Sequence, residues 1–346
     1  MKNSAYRSIA MNAKKALACL VTTMLVMGLC PIPAFAAHKP AASQVLTVMK
    51  KYDPDGHHIA KTAKKRGQNI TIWWHGGSGI EDPDSFDTMV HEECHFYGSY
   101  KVKNAAKERR FYIGNKKSVK VKITKVFKSK KIAKSVPSKL RKSSRFNGYV
   151  NVGKSDANLS ANVDGAYGLL DEFTAYCWGT NAYVRLYHHA RELHVDDGYH
   201  PFYEEYFEDN TANAYPEFRY FIEHYLYYAK THNKKVYKGI MKNRNFIKTL
   251  KKVDAKFSSV IEEYNRLQVE TAAESGKTTL KSKKTGEYGG YMREYNLYAK
   301  ELNKPRYRAI EKKLGLKNVK LRDPDTLLVE TAKSQSGYTA VKANVR

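Results

Sequence analysis

His91, Glu92 and His95 stand in the pattern H-E-x-x-H, within His91-Glu92-Glu93-Cys94-His95. On a helix, residues four apart share a face, so the two imidazoles can offer nitrogens to one metal ion. Glu92 between them can reach a water on that ion and take its proton. Five residues thus carry a ligand pair and a general base. The same pattern also fits an amphipathic helix whose two histidines are merely packed or solvated, so the flanking sequence has to discriminate.

The flanks predict a helix. Asp82-Pro83-Asp84-Ser85 supplies a capping side chain, a proline suited to the first turn and acids at the positive end of the helix dipole. Phe86, Met89, Val90, Cys94 and Tyr97 follow at helical spacing and make an apolar stripe, with His91 and His95 beside it. Gly98 can end the helix. Upstream, His75-Gly76-Gly77 has an esterase-like look, but Gly76 to Ile80 lacks the second glycine of G-x-S-x-G, and no Ser/His/Asp set supports it.

A catalytic zinc needs a third protein ligand and one position left for water. In the extended pattern H-E-x-x-H-x-x-G-x-x-H, this chain keeps Gly98 but has Lys101 where the third histidine belongs. The alternative is a Glu on a separate helix downstream. Glu172, within Gly168-Leu169-Leu170-Asp171-Glu172-Phe173, fits: it lies at the start of a long helical pattern, among apolar neighbours that leave an acid in need of a partner. His188, His189 and His194 are competing third ligands, and a solvated or salt-bridged Glu172 is the plain alternative.

With these residues the chain resembles the gluzincin-type zinc metallopeptidases of exported bacterial kind, over roughly residues 70–194. The resemblance implies that His91, His95 and Glu172 bind Zn²⁺. It implies that Glu92 is the general base and later carries the proton to the leaving amine. It also makes Ile70 to Trp74, which reads as a β-branched and aromatic strand, the edge along which an extended peptide substrate aligns. One departure is Tyr176, which stands where thermolysin-like members carry an Asp four residues after the ligand Glu. Asp87 and Asp171 are then the candidates for orienting an imidazole. Tyr167, Tyr176 and His189 are candidates for stabilising the tetrahedral oxyanion.

The rest of the sequence bounds the protein. Lys2, Arg7, Lys14 and Lys15, the apolar run from Ala16 to Leu29 and the Ala34-Phe35-Ala36 site read as a secretory signal cleaved after Ala36. No later segment is apolar for long enough to span a bilayer, so a secreted or cell-surface protein without a transmembrane segment is expected. The formal net charge of the whole chain is +27. Lys101 to Arg145 holds eighteen basic residues and one acid, whereas Asp164 to Glu223 holds twelve acids against three arginines. The basic segment suits an anionic wall polymer or acidic surface, or is simply a solubilising face; no specific nucleic acid is expected. The acidic stretch suggests a preference for basic residues in a substrate. Cys94 and Cys177 remain after processing, and a bridge between them would tie the two halves of the site together, the alternative being two small buried thiols.

The elements expected to position the site are mostly helical. Short helices are predicted over 43–52 and 57–65, strands over 110–113 and 119–126, a short helix over 135–142, and a long helix over 166–194 ended by Asp196-Asp197-Gly198 and Pro201. Further helices are expected over 216–231, 245–271, 291–303 and 307–314, with a loop over 274–290. The tyrosines on these helices fall at core spacing. The expected fold is α+β and predominantly helical: a zincin-like core with an active-site helix and a third-ligand helix, plus a helical C-terminal region. Its parts would be a signal peptide over 1–36, a catalytic domain over 37–235 and the helical region over 236–346. The functional expectation is a secreted zinc metallopeptidase acting on a peptide or protein substrate. A basic polyanion-binding protein without catalysis, a scaffold that binds metal but does not cleave, and another zinc hydrolase on the same scaffold are the alternatives.

Overall fold

The computed structural model describes residues 39–75, 79–193, 210–274, 279–281, 290–326 and 328. The expected signal segment, the glycines of the 76–78 stretch, His194 with the 196–201 stop signals, most of the 274–290 loop and the C-terminal tail lie outside the described residues.

The chain opens with α1 (Ala42–Tyr52) and α2 (Pro54–Lys65). Helix α3 (Pro83–Gly98) begins as its sequence dictates. The Asp82 side chain accepts the Asp84 N–H at 3.0 Å, and Pro83 occupies the first turn, where a missing N–H costs nothing. Ser85 donates to Asp82 at 2.6 Å and accepts from the His75 N–H at 3.0 Å, which fixes the approach of the preceding loop. The predicted stripe is buried at Phe86, Met89, Val90, Cys94 and Tyr97.

Ile70 to Trp74 is not a strand. Ile70–Trp73 forms a 3₁₀ turn, closed by the Ile72 N–H to Asn69 O at 3.1 Å and the Trp74 N–H to Thr71 O at 3.2 Å. Strand preference is a preference for a pleated, half-buried surface; with no partner strand beside it among the described residues, the segment instead buries Ile70 and Trp74 and leaves Ile72 exposed. The edge strand expected to align a substrate is therefore absent here. The sheet among the described residues is one antiparallel hairpin, β1 (Glu108–Tyr112) with β2 (Ser118–Lys122), registered Glu108 to Lys122 and Tyr112 to Ser118. Val119 and Val121 are buried and Lys122 is exposed, as the alternation predicts.

Short 3₁₀ and π turns over 129–150 and the one-turn α4 (Ser160–Val163) lead to α5 (Ala166–Leu193). Helix α5 is buried almost all round because two cores bear on it. Ala175, Trp178, Ala182 and Leu186, spaced three and four apart, face a core with α1, α2 and α3. Leu169, Leu170, Phe173, Cys177 and Tyr183 face a second core built with the hairpin and with α6 (Ala214–His232), α7 (Lys234–Lys242), α8 (Arg244–Glu274), α9 (Gly290–Leu302) and α10 (Pro305–Leu314). That second core runs from Phe111 to Val319 and so spans the expected boundary at residue 235. The described residues are predominantly helical, with one small sheet among them. No described helix is long and apolar enough to cross a membrane.

Helices α3 and α5 cross antiparallel. Asp87, early in α3, lies against Gly179, where an added Cβ would come within 2.1 Å of Asp87 Oδ1 and 3.0 Å of its carbonyl oxygen. Gly98, at the end of α3, lies near Asp171. The hydrogen of Gly179 sets the close approach, and the candidate ligands sit between these two contacts.

Candidate metal centre

His91 and His95 come from one face of α3, and Glu172 from the second turn of α5. The nitrogen and oxygen donors of the three lie within 4.8 Å of one another. His91 Nε2 and His95 Nε2 are 3.2 Å apart, His95 Nε2 and Glu172 Oε2 3.4 Å, and His91 Nε2 and Glu172 Oε2 3.7 Å. Zinc bonds of about 2.0–2.2 Å in tetrahedral geometry place neighbouring donors about 3.3–3.6 Å apart. The three separations fall within about 0.1 Å of that range, so the side chains could hold one such ion.

The electrostatics agree with that chemistry. Burial holds the His91 imidazole well below its ordinary pKa, aided by His95 and Arg145, so it is neutral and free to act as a ligand. Burial also opposes charge on His95, but the carboxylates of Glu172 and Asp171 outweigh it and lift that pKa well above the ordinary value. The cluster thus attracts positive charge at the point where three donors converge, and a metal cation satisfies the same attraction. Burial raises the Glu92 carboxyl above the usual range, with His95 pulling it down and Glu172 pushing it up.

Behind His95 stands a relay of charges. Asp171 Oδ2 lies 3.0 Å from His95 Nδ1, Arg109 donates to the same carboxylate, and Arg109 Nη2 meets Asp164 Oδ2 at 2.7 Å. Arg109 holds Asp171 ionised below the usual carboxylate range against the effect of burial. An ionised Asp171 accepts the Nδ1–H, so a cation that displaced the Nε2 proton would find the Nε2 lone pair facing the cluster. Asp87, the other candidate for this role, packs against Gly179 instead.

Tyr176 is at the site. Four residues after Glu172 it shares the same face of α5, and its ring meets the His91 ring edge-on at 4.4 Å. Its hydroxyl is 3.1 Å from that of Tyr149, and the Arg145 guanidinium lies 4.8 Å from its ring centre. Arg145 is in turn held by Glu217 at 3.1 Å. Neither Tyr149 nor Arg145 is marked by any sequence pattern: one lies in a turn, the other at the end of a lysine-rich run.

Tyr167 is elsewhere. Five residues before Glu172 it projects about 140° away around the helix. Its hydroxyl is committed to Thr124 at 2.8 Å and Asn243 at 3.0 Å, with its ring against Phe246. This corrects its expected catalytic placement. His188 is exposed and His189 packs on Tyr52. Both lie about 25 Å along α5 from Glu172 at 1.5 Å per residue, so neither is a ligand here. Cys94 and Cys177 are both free and buried. They pack in two different cores, and of the two readings open for them, a bridge or two small buried thiols, the structure has the second.

Within the acidic stretch, all six described acids are committed: Asp164 and Asp171 to Arg109, Glu172 to the histidines, Glu192 to Lys51, Glu217 to Arg145 and Glu223 to Arg219. None of these stands free for a basic substrate residue. Comparison of the chain with protein-family models, with curated proteins and with solved structures gives no match.

Proposed function

We propose that this protein is a zinc-dependent hydrolase of gluzincin type that cleaves peptide bonds, exported through the leader read in residues 1–36. The observation that carries the reading is the donor triad of His91, His95 and Glu172, spaced for one tetrahedral cation, with Glu92 on the same turn of helix. The histidine–carboxylate pair His95–Asp171 supports it, since such pairs orient metal-binding imidazoles. The peptide as substrate rests on the family resemblance.

When bound, zinc supplies a Lewis acid and lowers the pKa of a water. The chain's own groups do the rest. Glu92 takes a proton from the attacking water on its carboxylate and delivers it to the nitrogen of the leaving amine. The Tyr176 and Tyr149 hydroxyls, steadied by Arg145, donate hydrogen bonds to negative charge developing on the carbonyl oxygen. Asp171 keeps the His95 Nδ1 proton in place throughout.

The test is metal content by mass spectrometry of the purified protein beside His95→Ala and Glu172→Ala, followed by a peptide-library digest. About one zinc per chain, lost or weakened in both variants, and cleavage abolished by Glu92→Gln is the expected result. A folded, zinc-indifferent wild type overturns the reading.

A further inference from the structure

Two of the acid-free stretches of the sequence, both beyond residue 100, are strongly basic. Residues 109–155 carry sixteen lysines and arginines, and residues 224–253 carry nine, with no Asp or Glu in either. The fold joins them. Asn243, between α7 and α8, donates to the Lys122 carbonyl at 2.8 Å, and Asn245 donates to the Lys120 carbonyl at 2.8 Å. Gly239 of α7 lies against Thr124, just past β2; a Cβ there would be 3.3 Å from its hydroxyl.

Lys122 and Lys125 therefore share a face with Lys238, Lys242, Arg244 and Lys248, and all six side chains are exposed. Lys125, Lys238, Lys242, Arg244 and Lys248 make no ion pair among the described residues, while Glu108, at the head of the hairpin, is engaged by Lys120 at 3.6 Å. Like charges this dense repel one another, and a bound polyanion relieves that repulsion while releasing its own counterions.

We propose that this face, made by β2, α7 and the first turns of α8, binds a flexible polymer of repeating phosphates that carries no bases. Its chemistry separates the partner classes. Among the described residues the exposed large apolar side chains are Ile72, Leu193 and Leu321, none of them on this face, so the face presents no apolar group to insert into a lipid surface. Tyr237 and Phe246 are partly or fully buried in the core, so no aromatic ring is presented for bases to stack on. Five of the six cations are lysines, point charges suited to phosphates of varying geometry rather than to a fixed bidentate partner. The face is separate from the metal centre, so the proposal stands or falls independently of the hydrolase reading.

The experiment measures binding of long-chain polyphosphate to the purified protein across a salt series. Lys238→Gln/Lys242→Gln/Lys248→Gln is compared with Lys61→Gln/Lys64→Gln/Lys65→Gln, which removes equal charge from exposed positions on α2. Expected is salt-sensitive binding that the first triple variant weakens at least about tenfold, with the log–log salt slope reduced by about 2, at about 0.7 for each phosphate no longer neutralised. The α2 variant should retain nearly all of the binding. Equal losses in both variants would reduce the effect to net charge and overturn the proposal. So would tighter binding to anionic phospholipid vesicles or to single-stranded DNA of equal charge than to polyphosphate.

Discussion

Asp171 Oδ2 lies 3.0 Å from His95 Nδ1, and the same carboxylate is the acceptor for Arg109, which is anchored in turn by Asp164. A strand residue of the hairpin thus fixes the orientation of an imidazole on α3 through an acid on α5. Three elements distant in sequence must be in place before His95 presents Nε2 to the ligand cluster. Asp171→Asn should keep the fold but lower zinc affinity about 10–100-fold, the usual effect of removing a partner behind a ligand. A zinc titration against a competing chelator measures this directly. An unchanged affinity would mean that His95 is oriented by packing alone.

The tyrosine pair separates chemistry from binding. Tyr176→Phe and Tyr149→Phe remove hydroxyls that lie 3.1 Å apart, with the Tyr176 ring edge-on to His91 at 4.4 Å. Each should lower kcat about 100-fold, as loss of an oxyanion donor does, while zinc content stays at the wild-type level. Tyr167→Phe is the internal control: its hydroxyl bonds Thr124 and Asn243, so it should cost about 1 kcal/mol of stability and leave kcat alone. Steady-state kinetics on one cleaved peptide decides between them.

Burial raises the Glu92 carboxyl above the ordinary range. A general base works only in its ionised form, so activity should fall as pH drops through that raised pKa, with the acid limb displaced upward from that of a solvated Glu. Glu92→Gln should bind zinc as the wild type does and lose about 10²–10⁴-fold in kcat. A pH–rate profile together with metal analysis of the variant checks both.

A different pH dependence comes from the core. Arg219 is fully buried on α6 among Glu223, Asp254 and Glu311, three carboxylates around one cation. Burial pushes Glu223 up to about 8, against the pull of Arg219, and its Oε2 has no partner among the described residues while Oε1 accepts from Arg219 Nε at 2.6 Å. A carboxyl whose folded pKa exceeds its unfolded value contributes most below the unfolded value, near 4.5, and that contribution is lost as pH rises toward 8. Denaturant unfolding should therefore show stability declining across that window, and Glu223→Gln should flatten the decline. Arg219→Met should destabilise by about 3–5 kcal/mol, because it leaves buried acids without their cation.

How far the site can be read from sequence follows from what is local. The α3 helix is legible because its cap, its stripe and its two histidines lie within seventeen consecutive residues, and each signal is a short-range one. Glu172 is legible as an acid in an apolar pattern. Tyr176 and Tyr167 look alike in the sequence, and only the helical angle from Glu172 tells them apart once that residue is fixed as the reference. Arg109, Arg145 and Tyr149 reach the site by tertiary packing: the two arginines are hidden within a lysine-rich run whose other members are mostly exposed, and Tyr149 lies in the turn after it. Ile70 to Trp74 misleads for a related reason: β-branched and aromatic residues suit any half-buried surface, and this one is a helix flank rather than a neighbouring strand.

The crossing of α3 and α5 gives the strictest test of how fold sets site. The ligand cluster depends on two helices approaching closely, and Gly179 is where they do so. Alanine there would place a Cβ 2.1 Å from Asp87 Oδ1 and 3.0 Å from the Asp87 carbonyl oxygen. The carboxylate can rotate away, but the backbone oxygen moves only with the helix. Gly179→Ala should cost about 1–3 kcal/mol, the usual range for overpacking, and should weaken zinc binding although no ligand is altered. Adding Asp87→Ala removes the side-chain clash and leaves the backbone one, so the double variant should regain only part of the stability and part of the affinity. Melting temperatures and zinc titrations on the single and double variants measure both quantities on the same samples. If Gly179→Ala lowered stability without touching zinc affinity, the spacing of His91, His95 and Glu172 would be set locally on each helix rather than by their crossing.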